Sequence, residues 1–189
     1  MSVLRDYDNI LNLIKNKLPV KSMKNIWAPW RINYILSKKQ KGCVFCINKT
    51  RDYKKSHYIL ADSKYSFIIL NKYPYTAGHL MVLPQRHVSE LESLKDDEHA
   101  DFFKMLSFAS KALKKAIKPD ALNIGANLGK AAGAGIEEHL HFHIVARWDG
   151  DHNFMPVIGK TMVIPEYLDD TYNKLLPYFK QNNINNNNE

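Results

Sequence analysis

The sequence predicts an α+β domain built on an antiparallel sheet. Five short β-prone segments, 58–62, 66–71, 80–84, 122–127 and 140–145, follow one another along the chain. One long helical pattern is inserted before the fourth of them. In the fifth segment, apolar and polar residues alternate strictly, which is the period of a strand half-buried on one face.

At the N-terminus, Val3, Tyr7, Ile10, Leu11, Ile14 and Leu18 recur at helical spacing until Pro19. This marks an amphipathic helical extension over 1–22, suited to packing on the body or on a partner subunit, with the main domain over 23–180. A short helix is expected over 30–37, after Pro29. Between the second and third strands, Tyr73-Pro74 and Ala77-Gly78 supply turn chemistry. The long helix is expected over 95–117, with Ser93 as its cap. Phe103, Leu106, Ala109, Leu113 and Ala116 or Ile117 lie along its apolar face, and Pro119 and Asp120 end it. A final helix is expected over 165–180, and the asparagine-rich stretch 181–189 reads as a disordered tail.

With 189 residues, 45% of them hydrophobic, the chain can bury one good core. No run approaches the roughly 18 apolar residues of a membrane span. Arg5, Asp6 and Asp8 break up the N-terminal apolar residues, which excludes a secretory signal. Two cysteines in one Cys-x-x-Cys do not make a disulfide scaffold, so a cytoplasmic location is expected. The 27 Lys and Arg against 19 Asp and Glu give a formal charge of +8, which favours an acidic partner. Much of that excess is scattered over positions such as Lys15, Lys24, Lys39 and Lys55 rather than gathered into a groove. Neither a nucleic-acid nor a membrane partner is expected.

Chemistry is concentrated in His139-Leu140-His141-Phe142-His143-Ile144-Val145. On a strand the three imidazoles share one face, while Leu140, Phe142 and Ile144 enter a core on the other. Imidazole serves as nucleophile, acid or base, or metal ligand near neutral pH. Idle surface histidines and a purely metal-binding triad are the competing readings of the pattern alone. Just upstream runs Asn127-Leu128-Gly129-Lys130-Ala131-Ala132-Gly133-Ala134-Gly135, almost free of side chains. Such a loop lets backbone N–H groups approach anionic oxygens, although it is also an ordinary flexible connection. It lacks the Gly-Lys-Ser/Thr closure of a Walker loop. Cys43-Val44-Phe45-Cys46 reads on its own as half a zinc site, a redox pair or an accident.

The triad resembles the signature of the histidine-triad (HIT) superfamily of nucleotidyl hydrolases and transferases. The resemblance spans about 25–180. It takes in the stretch from Asn71 through Gly78-His79 to Pro84, and the stretch from Arg147-Trp148 to Gly159. That last stretch and Trp27-Ala28-Pro29-Trp30-Arg31 are similar to a bacterial branch containing diadenosine tetraphosphate phosphorylases.

The resemblance implies a five-stranded sheet with a packed helix and a symmetric homodimer. It implies that His141 attacks an α-phosphorus to form a nucleotidyl-histidine and that His143 donates to a phosphoryl or bridging oxygen. His79 falls where the family has a further active-site histidine. The second ring nitrogen of His141 needs a fixed acceptor, for which a carbonyl of the Gly/Ala loop is expected. Asn71 and Asn127 fall at positions used for ribose or phosphate, their local alternative being to bond their own backbone. Gly129, Gly133, Ala134 and Gly135 are the expected phosphate cradle. Relatives with Cys, Cys and two histidines bind structural zinc, which maps to Cys43, Cys46, His87 and His139.

Ala134-Gly135-Ile136 replaces the Gln, Ser or Thr of the hydrolase branches. A water therefore lacks a side chain to poise it, whereas Lys130 and Arg147 offer charge to a free phosphate. The expected activity is cleavage of a dinucleoside polyphosphate such as diadenosine tetraphosphate, with phosphate as acceptor. The alternatives are hydrolysis of dinucleoside polyphosphates or nucleoside phosphoramidates, and a nucleotide-binding regulatory protein. His57, His99 and His152 read as surface or packing residues, His152 lying in the family-like segment near enough to approach the site, and Trp148 reads as packing or dimer contact rather than a base-stacking platform.

Overall fold

The computed structural model describes residues 42–47, 53–151 and 166–180. The N-terminal extension, the short helix over 30–37, the Trp27 to Arg31 segment, His152 to Gly159 and the tail lie outside the described residues. Five strands form one sheet: β1 (Ile59–Asp62), β2 (Ser66–Leu70), β3 (Leu80–Pro84), β4 (Ala121–Gly125) and β5 (Phe142–Arg147). Their order is β1-β2-β3-β5-β4, and every neighbouring pair is antiparallel. Among the described residues three α-helices accompany it: α1 (Tyr53–Ser56), α2 (Asp96–Ile117) and α3 (Leu168–Lys180). The α+β class and the inserted helix are as the pattern predicted. Among the described residues no helix is long and apolar enough to cross a membrane.

Apart from Ser66 at the start of β2, β2 and β3 read as apolar runs because all ten of their residues are buried. Ile68, Leu70, Leu80 and Val82 pack against Phe102, Met105, Ala109 and Leu113 of α2 and Tyr172, Leu175 and Phe179 of α3. The opposite face carries a second cluster of Ile59, Phe67, Ile69, Met81 and Leu83, covered by Phe45. A bulge between Ile59 and Ala61 lets Leu60 and Ala61 both turn towards the helical side.

Three local readings need correction. The apolar face of α2 uses Phe102, while Phe103 is 51% exposed. Ser93 does not cap that helix, because it lies in a 3-10 turn over Leu91–Ser93. Instead Glu98 reaches back to accept from the Lys95 N–H at 2.9 Å and is held there by Arg86. This satisfies a first-turn amide and places negative charge at the helix N-terminus. Finally, β5 starts at Phe142 and β4 stops at Gly125. Leu140 still faces a core, but a separate one with Val88 and Leu94, because its N–H bonds to Val88 O at 2.6 Å instead of joining the ladder.

Candidate active site

The triad lies on the sheet face of the second cluster, where His143 stands opposite Met81 on β3 and Gly125 on β4. His79 enters the same place from the turn before β3. Gly78 makes that approach possible: its φ of +72° favours glycine, and a Cβ there would stand 2.7 Å from Ile117 Cδ1.

The protons of this cluster can be assigned from its fixed donors and acceptors. The main-chain N–H of Tyr75 donates to His79 Nδ1 at 3.0 Å. A neutral His79 therefore carries its proton on Nε2, which stands 3.0 Å from His143 Nδ1 and donates to it. His143 in turn carries its own proton on Nε2. Both rings are neutral at pH 7. Burial, then the charges His143 and His141 would carry, lower the His79 pKa to about 3. Burial and His141 lower His143 to about 4. The relay thus leaves His143 as a neutral N–H donor.

His141 is oriented independently. Its Nδ1 lies 2.8 Å from the main-chain oxygen of His139, which can only accept. In the neutral ring Nε2 then keeps its lone pair. The expected acceptor was a carbonyl of the Gly/Ala loop; it belongs instead to His139, two residues away in the same segment. The His141 and His143 rings are 5.0 Å apart at 80°, and Phe45 lies 5.3 Å from His141. Phe45 also walls a cavity of about 260 Å³ lined by Ile47, Ile59 and Phe67, with Cys46, Tyr53, Asp62 and Gln85 as its polar members.

Cys43, Cys46, His87 and His139 converge, with one ligand atom of each lying within 4.8 Å of the others. Cys43 Sγ is 3.4 Å and Cys46 Sγ 3.8 Å from His139 Nδ1, and Cys46 Sγ is 3.3 Å from His87 Nδ1. A tetrahedral zinc with ordinary Zn–S and Zn–N bonds needs S···N edges of about 3.6 Å. The donor set therefore fits zinc in type and number, and three of its S···N edges are close to that value. Burial and the adjacent Cys43 push the Cys46 thiol pKa up, a strain that a bound cation relieves. His139 Nε2 donates to Pro84 O at 3.0 Å, leaving Nδ1 for the metal, and the Phe45 N–H donates to Cys43 Sγ at 3.4 Å.

Other expected residues have more local occupations. Asn71 Oδ1 accepts from the Tyr73 N–H at 2.9 Å, and its Nδ2 lies 3.4 Å from His79 Nδ1, so it bonds its own turn at the mouth of the site. Asn127 lies past the end of β4, half-buried. The loop contains a 3-10 turn over Lys130–Ala132 between Gly129 at φ +78° and Gly133 at φ +91°. The N–H groups of Ala132, Gly133 and Ala134 bond within it. Arg147 is committed: Nε and Nη2 hold Asp151 at 2.6 and 2.9 Å, and Nη1 holds Asn123. Trp148 packs against the main core, and His57 bonds the Tyr53 carbonyl on α1. Sequence reasoning missed Phe45, Tyr75 and the carbonyl of Pro84. An aromatic inside the Cys-x-x-Cys was the available signal for the first. The last is a backbone group and leaves no mark in the sequence.

Comparison with known proteins accords with this geometry. Residues 53–150 match the family model described as the HIT domain. An AP-4-A phosphorylase of Mycobacterium tuberculosis is 39% identical over 159 residues, covering 79% of this chain and 80% of that one. A hypothetical histidine triad nucleotide-binding protein from Sulfolobus tokodaii superposes with a TM-score of 0.56 at 27% identity, over 73% of this chain and 89% of that one. A Zn-bound histidine triad family protein from Mycobacterium smegmatis, 23% identical, shares the fold with a TM-score of 0.55 over 66% of this chain and 85% of its own. The described strands, the placement of the triad and the extent of these matches make the chain a member of the HIT family.

Proposed function

We infer that the protein is a nucleotidyl transferase that cleaves dinucleoside polyphosphates such as diadenosine tetraphosphate, with inorganic phosphate as acceptor. The observation that carries this is the 2.8 Å bond from His141 Nδ1 to the His139 carbonyl, which leaves Nε2 of a neutral ring as nucleophile beside an N–H donor. His141 Nε2 attacks the α-phosphorus and the bond to the departing polyphosphate oxygen breaks. His143 Nε2–H hydrogen-bonds that oxygen as charge builds on it. Phosphate then attacks the nucleotidyl-His141, breaking the P–N bond and restoring the lone pair. With diadenosine tetraphosphate the products are ATP and ADP.

Asn71 and Asn127 serve the ribose and phosphates in this reading, and Gly129, Gly133, Ala134 and Gly135 form the phosphate cradle. The amides of Ala132, Gly133 and Ala134 close the loop's own turns, so the contacts fall to the amides of Gly129 and Gly135, with Gly133 and Ala134 lining the cradle as small residues and Lys130 supplying charge. Arg147, neutralised by Asp151, is replaced in that role. The Phe45 cavity, with aromatic and aliphatic walls and polar groups from Tyr53, Asp62 and Gln85, suits a planar base that also hydrogen-bonds.

A zinc ion held by Cys43, Cys46, His87 and His139 would cross-link three separate chain segments and brace the His139 carbonyl; its role is structural. The protein is read as one catalytic domain over 23–180 with the extension 1–22 and tail 181–189, working in the cytoplasm, where reduced thiols favour such a site. A symmetric homodimer is supported by the exposure of β4 at the sheet edge, with Ile124 47% exposed. Turnover of diadenosine tetraphosphate across a phosphate titration tests the reaction. Phosphate-dependent ATP and ADP are expected. Turnover indifferent to phosphate, with AMP throughout, overturns the transfer to phosphate and leaves hydrolysis.

A further inference from the structure

The two sides of the His141–His143 pair are built differently. Beside His141 lies Phe45, 8% exposed and forming a wall of the cavity. Beside His143 lies Tyr75, whose ring centre is 5.8 Å from that of His143 and 4.6 Å from that of His79. Its plane is tilted by 34° to the first ring and 41° to the second. Tyr75 is nevertheless 49% exposed, and Tyr73 in the same turn is 40% exposed. The turn is held without the phenol ring, through the bonds of Asn71 to Tyr73 N and of Tyr75 N to His79. Nothing in that hydrogen-bonding requires an aromatic side chain at position 75.

A dinucleoside polyphosphate carries two bases, one on each side of the scissile bond. The half that stays on His141 has the Phe45 cavity beside it. The half that leaves must pass the group that donates to its oxygen, and an open aromatic face stands there. We propose that Tyr75 is a specificity-determining residue whose ring stacks on the nucleobase of the departing half. This rests on the substrate class inferred above. Offset stacking needs a π-face and tolerates any base, so the hydroxyl plays no part and phenylalanine serves equally. The consequence is preference for substrates with a second nucleoside over mononucleoside polyphosphates of the same length.

The test compares two ligands that share an adenosine and four phosphates: diadenosine tetraphosphate and adenosine 5′-tetraphosphate. Affinities are measured by calorimetry on the full chain carrying His141→Ala, which cannot form the covalent intermediate. With Tyr75 present, the dinucleotide is expected to bind roughly ten-fold more tightly. Adding Tyr75→Ala should erase that margin while adenosine tetraphosphate binds as before; adding Tyr75→Phe should preserve it. Thermal melts confirm that each variant is folded. A margin absent with Tyr75, a margin that survives Tyr75→Ala, or an equal loss for both ligands overturns the proposal, the last marking the ring as a brace for His79 and His143. If neither ligand binds, the substrate reading falls and the proposal with it. A margin that behaves as expected, in a His141-containing chain that cleaves neither ligand, overturns the catalytic reading and leaves the Tyr75 platform standing.

Discussion

The main-chain oxygen of His139 stands 2.8 Å from Nδ1 of His141, while the side chain of His139 joins the Cys43, Cys46 and His87 cluster. One residue thus links a metal-type donor set to the orientation of His141, the side chain acting on one side and the backbone on the other.

Replacing His141 by alanine should abolish turnover and leave the fold intact. The segment is held by Leu140, Phe142 and Ile144, whose packing does not involve this ring. Loss of a nucleophile should cost several kcal/mol of transition-state stabilisation, a fall in kcat of well over about a hundred-fold. Steady-state kinetics beside a thermal melt check this. A variant retaining more than about a hundredth of the activity has no covalent step at this position.

Purified protein should contain about one zinc per chain, measured by elemental analysis without chelators. The double change Cys43→Ser and Cys46→Ser should lower Tm by more than it slows the chemical step of the molecules that remain folded. Metal-free wild-type protein with an unaltered Tm would remove the site.

The pair of buried His79 and half-buried His143 makes stability depend on pH in a fixed direction. Folded His79 and His143 have pKa values of about 3 and about 4, against about 6.5 when unfolded. Between those limits the unfolded chain binds more protons, so stability rises with pH. The contribution is complete above about pH 6.5 and is lost as pH falls through 6.5 towards 4. The ceiling is about 1.4 kcal/mol per pH unit for each proton taken up only on unfolding. Urea unfolding at several pH values should show this slope, and His79→Gln should flatten it. An unchanged slope in that variant assigns the protons elsewhere.

Gly78→Ala should destabilise the protein and slow turnover together. The positive φ costs about 1–2 kcal/mol for an L-residue, and the new methyl would press on Ile117 Cδ1 and Leu113 Cδ1 of α2. Relief moves the turn that delivers His79, so kcat should fall more than KM rises. Wild-type kcat at reduced Tm would show that the turn absorbs the strain without disturbing the relay.

The parts of this fold visible in the sequence were those that follow a period or a motif. The buried runs of β2 and β3, the long helix and the one-faced histidines are written in side-chain type. The four cysteine and histidine positions were placed together by family resemblance, and their ligand atoms do converge. What stayed hidden depends on the backbone or on one residue of helical phase. The acceptor for His141 is a carbonyl, and β5 begins late because Leu140 bonds Val88 instead of a strand. Phe103 and Phe102 are adjacent, and only the packing of α2 on the sheet decides which one is buried. In the sequence Arg147 is available for an anion, but Asp151, four residues later, holds it in a bidentate pair and Asn123 takes its remaining amino group.

The strand order carries a consequence for how the molecule breathes. β5 lies between β3, buried at every position, and β4, an exposed edge. In a single subunit amide exchange should therefore be slowest in β2 and β3 and rapid in β4, with a steep change across the strand that bears His143, whereas pairing of two β4 edges in the proposed homodimer would slow it. Opening of β4 alone would free the Gly125 side of His143 while the bond from His79 stayed closed. His143 sits on the border between the part of the sheet expected to open last and the part expected to open first.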